Sequence, residues 1–440
     1  MRRKKLVAIA LIGLLASTTV VAQSTQKISL KEIEAKVIEN NHQLKITQQQ
    51  FIEARAEYRQ TNSVLLPNLS ISHTGFKTNN PVYAFGAKLN QGNFTAQDFD
   101  VSNLNNPDAI ENYTTTFQVE QPLINVDGMY YRQAAKSKMD AIELQNTFKQ
   151  DALLIEVQKA YMQLQVANEA VKVLEKANTT AQETKKVVTN FYEQQLIQES
   201  DLLLVEIRVN EIENQLAQAK SAVKNTSDFI HYLMGTSSDN IIEPADELEA
   251  TLELAPTNTS ADALKNRSDI KAMELSTNAY KKMSNASKMA FVPRLNAFGN
   301  YELFDDQVFG TNANSYFVGA QLKWDLFQGG KNVGKWQKNA AQYQQSKLEY
   351  EQYLAKSKVE INQMNRSLID AQNQMELAKK SMEQAEEVLR IKTNRFNQGL
   401  EKTSDLLLAE TQIAEKQLAY YQSIFQYNLT QAYLKFLTKK

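Results

Sequence analysis

The sequence predicts a mainly α-helical chain with a small β part, built as a duplicated strand-strand-helix-helix unit. Long helices are indicated by two stretches, residues 129–234 and 335–398, that contain neither Gly nor Pro, because strands and turns of that length need such breaks. Apolar residues in both stretches recur every three or four positions, which is the spacing of coiled-coil helices. Shorter segments ahead of each stretch alternate with period two, as strands do.

Residues 1–22 have the pattern of a secretory signal peptide. The cationic residues 2–5 precede the apolar run Leu6–Leu15, and a small-residue cleavage site ends at Ala22. That apolar run is too short to span the roughly 30 Å of membrane hydrocarbon as an anchor. No later stretch is apolar enough for a transmembrane helix. We therefore expect an exported chain that is either soluble outside the cytoplasm or enters a membrane as β-strands.

An internal repeat sets the expected domain boundaries. Residues 200–206 read Ser-Asp-Leu-Leu-Leu-x-Glu, and the same pattern recurs at residues 404–410. Matching order over about 200 residues indicates duplication rather than chance. The predicted divisions are a signal peptide at 1–22, a first repeat at 23–235, a linker at 236–258 and a second repeat at 259–440.

Each repeat is expected to open with a helix followed by two strands. Ser29-x-x-Glu32 and Thr259-x-x-Asp262 have the spacing of capping boxes. The predicted strands contain alternating apolar residues around Leu69, around Phe117, from Leu295 to Leu303 and from Tyr316 to Trp324, with a polar loop joining each pair. Strands of about ten residues suit a membrane-spanning sheet, although a half-buried sheet capping a coiled coil has the same pattern.

Four strands are too few to close a membrane-spanning barrel, and open sheet edges leave backbone groups unsatisfied in lipid. If the strands lie in a membrane, several chains must therefore pool them. Two chains would supply eight strands and three would supply twelve, and the sequence pattern does not choose between these numbers.

Two helical hairpins complete the repeats. The first is predicted from a helix at about 126–192, a turn at 193–199 and a helix at 200–233. The second is predicted from a helix at 332–396, a turn at 397–400 and a helix from Thr403 nearly to the end. In the second hairpin, apolar residues are spaced by seven from Leu354 to Phe396, which predicts a continuous packing seam.

Composition argues against several classes of function. The chain has no Cys and a formal net charge of −1, so thiolate chemistry is excluded and nucleic-acid binding is not favoured. The three histidines lie in separate elements without metal-ligand spacing. No catalytic motif is evident, so we expect neither an enzyme nor a bound cofactor or metal.

Several segments resemble the TolC-type outer-membrane efflux protein family. They are the opening residues 29–32 and 40–44, the loop residues 85–94, and above all the segments 395–400 and 404–410. The resemblance implies a homotrimer with a twelve-stranded β-barrel in the outer membrane of a Gram-negative bacterium and a long helical barrel in the periplasm. It also implies contact with outer-membrane lipid, a periplasmic adaptor protein and an inner-membrane pump of the RND, ABC or MFS type.

The resemblance further implies sites at the hairpin turns. Adaptor docking is expected at Gln194, Gln195, Leu196, Ile197, Gln398, Gly399 and Leu400. A pore constriction is expected at Asp405 and Leu408. The family often has a second acidic residue at the position that Leu408 occupies here. Contacts that hold the tips closed are expected at Asp201, Phe396 and Glu401, the last replacing a basic residue. The alternative is that Asp201 and Asp405 only stabilise helix N-termini.

The function expected from these features is a passive exit duct for a pump. A periplasmic coiled-coil adaptor or scaffold is the alternative. Adaptors normally carry one hairpin between Gly-rich β-domains, whereas this chain has two predicted hairpins and ends in a helix.

Overall fold

The computed structural model describes residues 25–238, 240–251, 264 and 266–438 of the chain. The predicted signal peptide and the predicted cap at Thr259 lie outside these residues. The chain forms two compact units. Of the described residues, the helical unit takes those up to Asn41 and those within Leu154–Glu253 and Ser367–Ala432, and the sheet unit takes those within His42–Leu153 and Leu254–Arg366 and those from Tyr433 onward. Each unit therefore takes segments from both sequence repeats.

Helices dominate the described residues, and two of them exceed 60 residues. In chain order the elements are β1 (Thr25–Ile28), α1 (Leu30–Asn40), α2 (His42–Gln60), β2 (Asn68–Thr78), α3 (Pro81–Asn90), α4 (Val101–Asn105), β3 (Ile110–Ile124), α5 (Val126–Glu193), α6 (Glu199–Met234), β4 (Ile241–Pro244), α7 (Ser268–Met289), β5 (Arg294–Asp305), β6 (Ala313–Lys323), α8 (Lys331–Asn397) and α9 (Thr403–Thr438).

The four predicted strands form one antiparallel sheet in the order β2-β3-β5-β6. The register aligns Ile71 with Phe117, Phe117 with Tyr301, and Tyr301 with Tyr316. Because side chains alternate along a strand, this register places Ile71, Phe117, Tyr301 and Tyr316 on one face of the sheet. That face is exposed to a large extent, with Ile71 69% and Tyr316 77% exposed.

The connection between β2 and β3 differs from the expected polar loop. It contains the helix α3, whose first turn is capped because Asn80 Oδ1 accepts hydrogen bonds from the backbone N–H groups of Val82 and Tyr83. Pro81 occupies the first helical position, where its fixed φ is favourable. The buried Ala84 and Ala87 then anchor the helix. The expectation of a loop was wrong here because this capping pattern was not recognised in the sequence.

The first repeat opens with two helices instead of the single expected helix. The capping box at Ser29 is confirmed, since Ser29 N–H donates to Glu32 Oε2 at 2.9 Å and Glu32 N–H donates to Ser29 Oγ at 3.4 Å. The helix breaks at Asn41, whose side chain donates to the carbonyl of Leu233 at 2.7 Å. The linker also forms a short strand, β4, which pairs in parallel with β1.

Both predicted hairpins are present with bounds within one or two residues of those expected. Every residue of the predicted seven-residue ladder from Leu354 to Phe396 is buried or half-buried. In the helical unit, Ala371 and Met375 pack with Ile424 and Tyr427, and Leu248 of the linker joins this core. No helix in the described part of the chain is both long enough and apolar enough to cross a membrane.

Candidate functional site at the hairpin turns

The two hairpin turns have the same backbone geometry. Gln195 precedes Gly399 by the 204 residues that separate the repeats, and both residues adopt left-handed φ values, 58° and 73°. The N–H of Leu196 donates to the carbonyl of Phe191 at 2.9 Å, and the N–H of Leu400 donates to Arg395 at the same distance. This is the Schellman arrangement that ends many helices. Gln195 therefore takes the backbone conformation that glycine normally supplies.

The turns expose equivalent side chains. Leu196 is 65% exposed and Leu400 is 62% exposed, and the two leucines are again 204 residues apart. A Cβ atom built on Gly399 would meet no atom within 4 Å. Each turn thus presents one exposed leucine beside a backbone segment open to solvent. Ile197 is half-buried and packs against a cluster of buried apolar residues beside the turns.

That cluster, which we call the turn core, comprises Val188, Val205, Phe396, Leu406 and Leu407. Phe396, expected at the tip contact, is only 5% exposed, and its ring centroid lies 6.1 Å from that of Phe191. Within one chain, Phe396 therefore joins the ends of both hairpins. Burial of this aromatic ring supplies much of the apolar contact that holds the turns in place.

Glu401, the expected tip residue that stands in place of a basic one, is held by two basic side chains of its own hairpin. Its carboxylate accepts from Lys392 Nζ at 2.9 Å and from Arg395 Nε at 3.0 Å, and its side chain is 9% exposed. The hydrogen bond from Lys392 is the largest influence that lowers the pKa of Glu401. These bonds fasten the turn to the C-terminal end of α8.

The two repeated aspartates occupy different environments. Asp201 accepts a hydrogen bond from the backbone N–H of Gln198 at 3.4 Å, so it caps the N-terminus of α6. Asp405 is half-buried in the first turn of α9, and its side chain interacts with that of Glu401. Leu408, one helical turn further on, is 57% exposed. Both aspartates thus lie in the first turn of a helix, and Asp201 also accepts the hydrogen bond of a capping box.

Sequence reasoning missed the role of Glu410, which is a buried carboxylate. It is 6% exposed, and its Oε1 accepts from Thr184 Oγ1 at 2.7 Å. Its Oε2 has no hydrogen-bond partner in the described structure. A signal was present, because Glu410 follows Leu406 by four residues and precedes Ile413 by three, which puts it on the apolar seam of α9.

Burial shifts the ionisation of Glu410. Loss of hydration raises its pKa, and this effect outweighs both the bond from Thr184 and the charge of Arg208. The carboxylate lines a cavity of about 80 Å³ within the helical unit, together with Val173, Ile212 and Leu389.

The sequence matches the outer membrane efflux protein family over residues 35–236 and 259–438. No curated protein sequence matches the chain.

Three solved structures illustrate the shared fold. The Campylobacter jejuni CmeC outer membrane channel has a TM-score of 0.81 at 17% identity, covering 93% of this chain and 85% of that one. The Vibrio cholerae outer membrane protein VceC has a TM-score of 0.77 at 18% identity, covering 93% and 96%. CusC, described as forming a transmembrane channel, has a TM-score of 0.81 at 15% identity, covering 94% and 92%.

The matched family consists of outer-membrane transport channels, not enzymes, and its members are the outer-membrane component of tripartite efflux systems. This chain belongs to the outer membrane efflux protein family and is an outer-membrane exit duct.

Proposed function

We propose that three copies of this chain assemble into a passive exit duct that receives its cargo from a periplasmic adaptor and an inner-membrane pump. The pump is expected to be of the RND, ABC or MFS type and to supply the energy. The chain itself contributes a conduit, and its selectivity for cargo comes from the pump.

The sheet is the observation that carries this proposal. β2 and β6 each pair on one side only in the described structure, and the apolar face between them is exposed. Unpaired backbone groups are too costly to leave in lipid. Edge-to-edge pairing of β2 with β6 of a neighbouring copy removes both free edges.

We propose that the hairpin turns dock to the adaptor. Leu196 and Leu400 are exposed at equivalent positions in the two repeats, so one adaptor surface can recognise both turns. The neighbouring docking residues are Gln194, Gln195, Ile197, Gln398 and Gly399. The shared left-handed geometry of Gln195 and Gly399 supports a similar mode of contact at each turn.

We also assign the gate to α9. Three copies of Asp405 around an axis would form a ring of negative charge that attracts cations, and the exposed Leu408 would add an apolar rim. Glu401 and Phe396 fasten the turn within each chain. Opening must then move whole hairpins, because the turn is tied to α8 by two ion pairs.

Disulfide cross-linking tests the assembly. Because the sequence has no Cys, introduced cysteines cannot pair with a native thiol of this chain. Chains carrying one Cys in β2, at Ser70, Ser72 or Thr74, and one in β6, at Ser315, Gln321 or Lys323, are oxidised in outer-membrane fractions. Denaturing gels should show two-chain and three-chain products and nothing larger.

The matched control places both Cys in β3 and β5, whose edges are already paired within the chain. These chains should give no product of more than one chain. A ladder that stops at two chains, or continues past three, would disprove the proposed copy number. A chain recovered with the soluble periplasm would disprove the duct itself.

A further inference from the structure

The sheet has a second face, opposite the one that carries Phe117 and Tyr301. Because side chains alternate along a strand, the neighbouring row of register partners lies on this opposite face. That row consists of Ser72, Thr116, Glu302 and Ser315. Most other side chains on this face are also hydrophilic, so we call it the polar face. Its chemistry suits contact with water and not with lipid.

One end of the polar face is covered. Asn112 and Phe304 lie on this face near the loop end of the sheet, where the chain connects β2 with β3 and β5 with β6. They are only 4% and 7% exposed. Phe298 lies on the same strand and the same face as Phe304, closer to the other end of the sheet, and is half-buried. The polar face is therefore covered most completely at its loop end.

The cover is the connection between β2 and β3, residues 79–109, and Gln91 anchors it. Gln91 directly follows α3 and is 3% exposed. Its Nε2 donates to Asn112 Oδ1 and to the carbonyl oxygen of Glu111, both at 2.9 Å. Since the side chain of Asn112 is on the polar face, the connection is seated on that face of the sheet.

Contacts beside Gln91 hold the connection at the same place. A Cβ atom built on Gly92 would lie 4.0 Å from the Cβ atom of Ala313. Ala313 is the register partner of Phe304 and so also lies on the polar face. From the β5–β6 loop, Asn312 Nδ2 donates to the carbonyl oxygen of Gln91 at 3.0 Å. The connection is therefore fastened to both pairs of strands.

The connection is a folded piece of structure and not a slack loop. The ring centroid of Phe94 lies 4.9 Å from that of Phe85 and 5.1 Å from that of Phe99, both in edge-to-face geometry. Lys88 Nζ lies 2.7 Å from Asp98 Oδ1. These contacts tie α3 to the segment that follows it. The connection therefore occupies a defined volume over the polar face.

We propose that this connection is an outer constriction of the duct, anchored by Gln91, and that it limits the size of the solutes that pass. The inference rests on the proposed assembly, in which the face with Phe117 meets lipid and the polar face lines the lumen. The helices α5 and α8 leave the sheet at the other end, so the connection stands at the outer mouth. It is separate from the gate proposed at Asp405.

The lumen of the proposed assembly is narrow enough for the connection to restrict it. A barrel of about eight strands is just filled by side chains, whereas one of about sixteen leaves a water-filled channel. The proposed twelve strands lie between these limits. One folded connection per chain inside such a mouth leaves a passage narrower than the bare barrel.

Cysteine labelling of intact cells from the outside tests the constriction. Thr116→Cys puts a thiol on the polar face, deeper in the lumen than the connection. Phe117→Cys is the matched control, because it puts a thiol on the opposite face of the same strand. The chain has no native Cys that could react instead. The cells receive either a small maleimide or a maleimide that carries a long polyethylene glycol.

Each thiol is placed in the full chain and in a shortened chain. In the shortened chain a short Gly-Ser linker replaces residues 79–109. The linker can close the hairpin because Thr78 and Ile110 are already register partners. Oligomer formation is measured on the same cells by the cross-linking described above.

We expect the small maleimide to label Thr116→Cys in both chains and the large maleimide to label it only in the shortened chain. Phe117→Cys should exclude the large maleimide in both. Equal labelling of Thr116→Cys by the large maleimide with and without the connection would overturn the inference. Exclusion of the large maleimide from both chains would also overturn it, because the barrel alone would then set the limit. Failure of the small maleimide in the shortened chain would place this face outside the lumen.

A point variant tests the anchor without shortening the chain. Gln91→Ala removes both hydrogen bonds from Nε2, so the large maleimide should label Thr116→Cys faster. The matched control is Gln97→Ala, at an exposed glutamine of the same connection, and it should label as the unmodified connection does. Equal rates in the two variants would overturn the assignment of Gln91 as the anchor. A missing oligomer would refute the duct, whereas an intact oligomer with these failures refutes only the constriction.

Discussion

Replacing Glu410 by Gln probes the buried carboxylate of the helical unit. Glutamine has nearly the same shape and keeps an oxygen that can accept the 2.7 Å bond from Thr184. It removes the negative charge from a site where Oε2 has no partner in the described structure. The substitution therefore changes charge while leaving packing almost unchanged.

The expected change in stability on Glu410→Gln follows from the burial of the carboxylate. Because the pKa of Glu410 is raised above its usual value of 4.5, the folded chain binds this proton more tightly than the unfolded chain. Stability is then highest below the unfolded pKa and falls as pH rises through the raised folded value. The glutamine amide also lacks a partner at the Oε2 position, so the gain comes only from removing the buried charge and is on the order of 1 kcal/mol, since a pKa change of one unit is worth about 1.4 kcal/mol. We expect Glu410→Gln to be more stable by about that amount above the raised pKa, with the difference shrinking in acid.

The helical unit is only part of a large chain, so local opening is a better measure than global unfolding. Hydrogen exchange of the amides at residues 406–414 is followed from acid to neutral pH. The control is Glu206→Gln at the equivalent position of the first repeat. Glu206 is 41% exposed and lies 3.1 Å from Lys185, and an exposed pair of this kind contributes about 0–1 kcal/mol.

The pH dependence of protection should be lost in Glu410→Gln and kept in Glu206→Gln. An unchanged pH profile in Glu410→Gln, or a clear loss of protection at neutral pH, would refute the reasoning. Either result would mean that attraction to Arg208 stabilises the ionised Glu410 carboxylate by more than the loss of hydration destabilises it.

Three other predictions concern the turns and the gate. Phe396→Ala should destabilise the helical unit by about 3–5 kcal/mol, because it empties the turn core; thermal unfolding that matches the wild type would place this ring outside the core. Gly399→Val should abolish efflux while the outer-membrane oligomer persists, since a β-branched residue is strained at φ 73° but its Cβ atom would meet no atom within 4 Å. Normal drug susceptibility in that mutant would exclude this turn from docking. Asp405→Ala should raise single-channel conductance and remove block by multivalent cations in planar bilayers, whereas Asp201→Ala should alter opening without altering block. Cation block that survives in Asp405→Ala would move the gate elsewhere.

Much of the fold was predictable because its signals are local. The seven-residue ladder ending at Phe396 and the long stretches without Gly or Pro predict helices whatever surrounds them. The duplication, visible at residues 200–206 and 404–410, predicts two hairpins with turns in matching places. Period-two alternation also predicted which strand residues share a face, as the row from Ile71 to Tyr316 confirms.

Contacts between distant segments were decided only by the tertiary structure. The sequence marked Phe396 as a tip residue, but its burial depends on Val188 and Val205 of the other hairpin. The left-handed backbone at Gln195 is dictated by closure of the helix end, which overrides the preference of the side chain. The charge environment of Glu410 depends on Thr184, 226 residues away. Periodicity in a sequence reports which face of an element is buried, whereas the partner that covers that face is set by packing between elements far apart in the chain.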